Sequence, residues 1–304
     1  MLMLAAALVL GATATPVDLP SGSTTKLVLT LEAYRTSVVL YEPITLVYRL
    51  KNPTQDVIKS NVSFTGIEFV VTSPEGKSTT HPRGGPVANV ILKEVAHEPG
   101  SVMVSEGELA WRGEDGPFPV PGAYEVHARV YAGNRPTPVY LESDPVRIEV
   151  RQPSNADSKA IASFASESDF KRLLRGGATA YCEGRDGPAC FDELERFLNE
   201  HSDSAYAPTV TWDLASAVAN GRLGVQSGIE IAVRLYKSFL KQWPDHPNAP
   251  KVMYGLALAL DKAGRSGEAA EVIREFERKF PEQKEKARLL RTNSQSGMML
   301  APKP

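Results

Sequence analysis

The hydrophobic pattern changes its period once along this chain, and that change limits the fold more than any single motif. From about Lys26 to Arg151 apolar residues recur at every second position. In "KLVLTLEAY" Leu27, Leu29 and Leu31 share one face. In "ITLVYRLKN" Ile44, Leu46, Tyr48 and Leu50 do the same, with Arg49 and Lys51 opposite. "GAYEVHARVY" sets Tyr124, Val126, Ala128 and Val130 on one side and Glu125, His127 and Arg129 on the other. Alternation of this kind needs a sheet with one dry face. Beyond "QPSNADSKAIASFASESD" (152–169) the period becomes 3.6, that of an amphipathic helix.

Turn chemistry separates the alternating runs at Asn52-Pro53, Pro74-Glu75-Gly76, Pro99-Gly100 and Pro121-Gly122. Further strands are predicted over Val57–Phe64, Ile67–Thr72, Val87–Leu92, Ser101–Trp111 and Pro145–Val150, about seven or eight in all. Short strands with turns at this spacing point to an antiparallel sandwich. The order "EPITLVYRLKNPT", "HEPGSV…GELAW", "PGAYEVHARVY" resembles a bacterial immunoglobulin-like domain of the intracellular proteinase inhibitor type. The resemblance implies a β-sandwich over 24–151 and makes Tyr124 the tyrosine whose hydroxyl ties a corner, a plain core aromatic being its other reading. A linker is expected over 152–160, with a helix beginning near Ser158.

The second half writes one helix start twice. "SAYAPTVTWDLA" (204–215) and "HPNAPKVMYGLA" (246–257) align at an offset of 42 residues, which pairs Pro208 with Pro250, Trp212 with Tyr254 and Ala215 with Ala257. In "PKVMYGLALALDKAGRSGEAAEVIREFERKFP" Leu256 and Ala257 give a large then a small residue, Gly264 stands at a turn, Ala269 is small again and Pro281 closes the run. That pattern resembles tetratricopeptide repeats (TPR), of the looser type found in bacterial envelope proteins. It implies first helices at about 158–182, 205–221 and 248–263, repeats over 161–292 with a closing helix at about 282–292, and a disordered tail over 293–304. It also implies a concave face for a protein or peptide. That face would present Thr209, Trp212, Asp213, Ser216 and Asn220 from one repeat, and Lys251, Tyr254, Leu258, Asp261 and Lys262 from the next. Trp212 and Tyr254 are its aromatic anchors, with packing against a neighbouring helix as their other reading.

The fold class expected is therefore multidomain: an all-β immunoglobulin-like sandwich plus an all-α TPR-like superhelix. A length of 304 residues suits two domains. A net charge of −2 argues against an electrostatic grip on nucleic acid or anionic lipid. No run of apolar residues is long enough for a transmembrane helix. The N-terminal "MLMLAAALVLGATATPVD" has an apolar core from Leu2 to Leu10 and an A-x-A signature at Ala12-Thr13-Ala14. It reads as a signal peptide over 1–14 without the usual positive charge, a buried strand or helix being the alternative.

Two cysteines, Cys182 and Cys190, flank "EGRDGPA". Outside the cytoplasm such a pair reads as one disulfide, with two buried free thiols as the alternative. No metal or cofactor is expected, because no Cys or His pair has ligand spacing. "GKST" (76–79) lacks the first glycine of a phosphate loop, "HEPG" (97–100) lacks the second His of a zincin, and no G-x-S-x-G elbow occurs. The histidines, His81, His97, His127, His201 and His246, read as scattered surface residues. The expectation is a periplasmic or secreted, non-enzymatic protein-binding chain. A proteinase inhibitor using "HPRGGPVAN" (81–89) as bait and a purely structural spacer are its rivals.

Overall fold

The computed structural model describes residues 27–60, 62, 67–82, 95–109, 116–131 and 140–281. The apolar segment 1–14, the strand expected over Val87–Leu92, most of the 81–89 loop, the closing helix at 282–292 and the tail 293–304 lie outside the described residues. The chain forms two compact units that meet at Arg151 and Gln152 in the sequence.

In the first unit the strands are β1 (Val28–Ala33), β2 (Ser37–Val39), β3 (Ile44–Lys51), β4 (Ile58–Ser60), β5 (Ile67–Thr72) and β6 (Ser78–Pro82). They are followed by β7 (Val95–His97), β8 (Val102–Leu109), β9 (Gly122–Tyr131), β10 (Tyr140–Glu142) and β11 (Val146–Arg151). Among the described residues three sheets result: β1-β3-β8, a six-stranded sheet in the order β2-β11-β9-β5-β6 with β10 on β9, and the pair β4-β7. Between β1 and β2 the chain changes sheet. β1 runs antiparallel to β3, whereas β2 runs parallel to β11, Val38 opposite Val150.

The alternating residues fill one core. Leu29, Leu31, Leu46, Tyr48 and Leu50 come from the first sheet, Phe69, Val71, Tyr124, Val126 and Ile148 from the second. Tyr48 and Phe69 meet edge to face with centroids 6.1 Å apart. Gly107 on β8 admits them, since a Cβ there would lie 3.0 Å from the Phe69 ring. Tyr124 Oη donates to the Val120 carbonyl at 2.6 Å and accepts from the Val120 amide, tying the turn that enters β9.

In the second unit the helices are α1 (Asn155–Ala162), α2 (Glu167–Tyr181), α3 (Gly187–Glu200), α4 (Ala207–Ala219), α5 (Gly228–Gln242), α6 (Ala249–Lys262) and α7 (Ser266–Lys279). The expected linker is helix from Asn155 onward, because Ser154 and Asp157 form a reciprocal capping box. The Asp157 carboxylate is buried and also accepts from the Ala205 amide at 2.7 Å. The single helix expected over 158–182 is two, since Ser166 caps a new start at Glu167. Between them Phe164 turns inward among Phe170, Tyr181 and Phe197, with centroid distances of 5.2–5.6 Å.

The expected fold class is corrected by this architecture. Among the described residues the chain is mixed α/β, seven helices following strands shared among three sheets, and not an all-β immunoglobulin-like sandwich plus an all-α TPR-like superhelix. The physical reason is that a hydrophobic period reports which side of an element is dry and says nothing of which elements pair. β2, β4, β7 and β10 have three residues each, too short to show a period. α2 is broken at Gly177, whose φ of 68° leaves the helical region, and it packs chiefly on α4. The helix pairs are therefore not copies of one unit.

Candidate functional site

α4 and α6 start alike. Pro208 and Pro250 stand in the first turn, where a missing N–H costs nothing. Both helices are buried around most of their circumference. In α4, Val210, Leu214, Ala215 and Val218 face the core, and in α6, Val252, Met253, Leu256, Ala257 and Leu260 do. What remains open is one stripe on each. On α4 Trp212, Asp213 and Ser216 are half-buried, and Asn220 is exposed at the end. On α6 Lys251, Tyr254, Gly255, Leu258 and Asp261 are half-buried, with Lys262 exposed.

Of the residues expected from the sequence, all but Thr209 lie along these two stripes. Thr209 is buried at 6% exposure and is closed to any ligand. Asn220 Nδ2 donates back to the Ser216 carbonyl at 2.9 Å, and Lys262 Nζ reaches the Ala219 carbonyl at 3.4 Å. Lys262 thus covers a carbonyl of the last turn of α4, while Asn220 adds a side-chain bond to a carbonyl that its own backbone amide already engages.

A residue outside the expected set organises the site. Tyr236 of α5 passes between α4 and α6, and its ring lies 5.8 Å from that of Trp212 at 42°. Its hydroxyl hydrogen-bonds the Ser216 side chain, and the Asp213 carboxylate is close enough to act on it by charge. Burial, with that charge, pushes the phenol up to about 12, while the Ser216 bond works the other way. Gly255 makes room for it. A Cβ at Gly255 would stand 2.8 Å from Cζ and 2.9 Å from Oη of Tyr236. Likewise a Cβ at Gly177 would lie 3.0 Å from Cγ of Asp213, so the α2 break and the α4 carboxylate fit against each other. Nothing in the hydrophobic pattern sets Tyr236 apart from the other apolar positions of its helix. Gly255, at the position equivalent to Asp213, was the available signal that something large approaches α6 there.

Tyr254 and Leu258 have a different setting. They pack with Val272 against buried Ala257 and Ile273, toward α7. The two expected anchors thus do not form one aromatic pair. Trp212 belongs to the Tyr236 cluster and Tyr254 to the α6–α7 surface.

Cys182 and Cys190 are joined, with Cα atoms 5.8 Å apart, so the free-thiol alternative is set aside. The bond links the end of α2 to the first turn of α3. Beside it the Arg185 guanidinium lies 4.5 Å over the Tyr181 ring, and both groups engage Glu193. The histidine reading is also corrected. His97 is 3% exposed, its Nε2 lies 3.0 Å from Ser60 Oγ, and burial lowers its pKa. The other four are half-buried. Among the described residues no helix is long and apolar enough to cross a membrane.

No family model matches the chain, and no curated protein matches it. Among solved structures, a β-glucosidase from Erythrobacter marinus is 17% identical over 42% of this chain and 16% of its own length, with a TM-score of 0.27. The putative ApaA protein from Bordetella pertussis is 12% identical over 41% of this chain and 94% of its own, at 0.26. The alkylpurine DNA glycosylase AlkC from Pseudomonas fluorescens is 15% identical over 41% and 30%, at 0.27. The chain spans less than a third of both enzymes, and likenesses at these scores carry no argument about fold or activity.

Proposed function

We propose that this chain is an exported, non-enzymatic binding protein that holds a protein or peptide partner on the stripes of α4 and α6. The observation that carries the reading is the recurrence of half-open positions at one spacing. Trp212, Asp213 and Ser216 on α4 correspond to Tyr254, Gly255 and Leu258 on α6. Aromatic side chains held in place by packing, yet not fully covered, supply much of the energy of protein interfaces. Export is supported by the Cys182–Cys190 bond together with the apolar N-terminal run, since disulfides persist in oxidising compartments.

The test uses the full chain, tagged, as bait in an envelope extract, beside Tyr254→Ala and Lys262→Glu variants. Neither position belongs to the Tyr236 cluster, so both variants keep the helical circular dichroism signal. A partner retained by the native chain and reduced at least tenfold by either variant is the expected result. An identical set of retained proteins for all three, with the fold intact, overturns the reading.

A further inference from the structure

A cavity of about 720 Å³ opens beside the disulfide, on residues that the α4 and α6 stripes do not use. Its walls come from the end of α2 (Gly176, Thr179), the disulfide loop (Glu183, Gly187) and the α4–α5 loop (Arg222, Gly224). The volume falls in the range of roughly 300–1,000 Å³ typical of small-ligand sites. We propose that this cavity takes a carboxylate, carried by an acidic peptide or by a free dicarboxylic acid, with Arg222 as the recognising cation.

Three charged residues line the cavity, and two are already committed. Arg185 pairs with Glu193 and lies over Tyr181. Glu183 faces Arg172, its carboxylate 3.8 Å from that guanidinium and its carbonyl 3.4 Å. Arg222 is bound only through its backbone amide, which donates to the Ala217 carbonyl at 3.0 Å. Among the described residues its guanidinium has no ion pair and no hydrogen bond. A guanidinium offers a planar fork that fits a carboxylate through two parallel bonds. The N-terminus of α3 is not the recognising group, because the Asp186 side chain already accepts from the Ala189 amide.

The other lining residues are mostly small, and backbone contacts hold them in place. A Cβ at Gly187 would stand 2.2 Å from the Leu223 carbonyl oxygen, so the start of α3 and the α4–α5 loop meet backbone to backbone. Gly221 and Gly224 hold the loop with φ of 67° and 62°. Positive φ values of this kind are open to glycine at no steric cost. Cys182 also lines the cavity, so the disulfide holds one wall in position. A ligand chain can approach these bare walls closely, with its acid group at Arg222.

The experiment is fluorescence polarisation on the full oxidised chain with a rhodamine-labelled acetyl-Glu-Glu-Glu-Glu peptide, its Gln counterpart and free glutarate as competitor. The Glu peptide is expected to bind at least tenfold more tightly than the Gln peptide. Arg222→Glu should lose at least tenfold, and Arg222→Lys should fall between, keeping the charge without the fork. Displacement by glutarate assigns the site to free acids, and failure to displace assigns it to peptides. Absence of binding to the native chain, or equal binding by Arg222→Glu, overturns the proposal. Arg222 is exposed, so its replacement leaves the fold in place.

Discussion

α4 and α6 carry the same pattern at an offset of 42 residues, yet the two stripes are held in different ways. On α4 each open residue is tied to something. Trp212 stacks on Tyr236, Asp213 fits against Gly177, and Ser216 hydrogen-bonds the Tyr236 hydroxyl. On α6 the matching positions are Tyr254, Gly255 and Leu258. The glycine serves as a seat for Tyr236, and the other two lean on α7. A repeated sequence therefore fixes where a stripe lies and leaves its role to the neighbours. On α4 the open residues are tied to Tyr236 and Gly177, whereas on α6 Tyr254 and Leu258 pack toward α7 with Lys251, Asp261 and Lys262 beside them.

The difference rests on Tyr236, and removing that side chain breaks it. Tyr236→Ala deletes a ring that is 3% exposed and touches both helices. Loss of a buried aromatic costs about 3–5 kcal/mol, because the cavity left behind collapses only in part. Urea unfolding should show the midpoint falling by the corresponding amount. A cost under about 1 kcal/mol would mean that α4 and α6 are held apart by other groups.

Titration sharpens the same point. The Tyr236 phenol is raised to about 12, so the fold favours its neutral form over the unfolded chain, where an ordinary tyrosine titrates near 10. A group raised in this way contributes stability that is fully present below pH ~10 and is lost as the pH climbs from there to about 12. Tyr181, also raised to about 12 by burial and its bond to Glu193, adds a loss in the same window. Tyr236→Phe should remove its share of the alkaline loss, at most about 2–3 kcal/mol, and leave the share from Tyr181. Unfolding free energies at pH 9 and at about pH 12 for the native chain and the variant measure this. Equal losses in both would show that the hydroxyl does not titrate against the fold.

How much of this was legible depends on whether a residue's role is local. β3 and β9 alternate over eight and ten residues, and the starts of α4 and α6 carry Pro in their first turns, so these elements can be read from the chain. The Tyr124 tie to Val120 spans only four residues, and it was expected through the resemblance alone, beside a plain core aromatic as the other reading. The start of α1 and its split from α2 had local signals that the expected linker and the single expected helix overrode, since "SNAD" and "SESD" both place an acid three residues after a capping serine. β6 is "STTHP", without an apolar residue to mark a dry face. Asp213 against Gly177, Gly187 against Leu223 and His97 beside Ser60 join residues 36 or 37 positions apart, and nothing in a window of 18 residues encodes them. The cavity at Arg222 is of this non-local kind.

The finest contrast uses one substitution at two helical glycines. Gly255 sits in the middle of α6 and Gly267 in the first turn of α7. Replacing glycine by alanine inside a helix gains up to about 1 kcal/mol through backbone entropy. At Gly267 a Cβ would meet nothing within 4 Å, so the gain should stand, reduced by the end position. At Gly255 the new Cβ would be 2.8 Å from Cζ of Tyr236, a ring braced by Trp212 on one side and bonded to Ser216. Overpacking a site that cannot yield costs about 1–3 kcal/mol, which exceeds the entropic gain. Gly255→Ala should therefore lower stability by on the order of 1 kcal/mol while Gly267→Ala raises it slightly, and thermal melts of the two variants read the opposite signs directly. In Gly255→Ala/Tyr236→Ala the clash has no partner, so the alanine at 255 should become stabilising. If it stays destabilising there, Tyr236 is not what makes α6 need a glycine, and the distinction between the two stripes loses its cause.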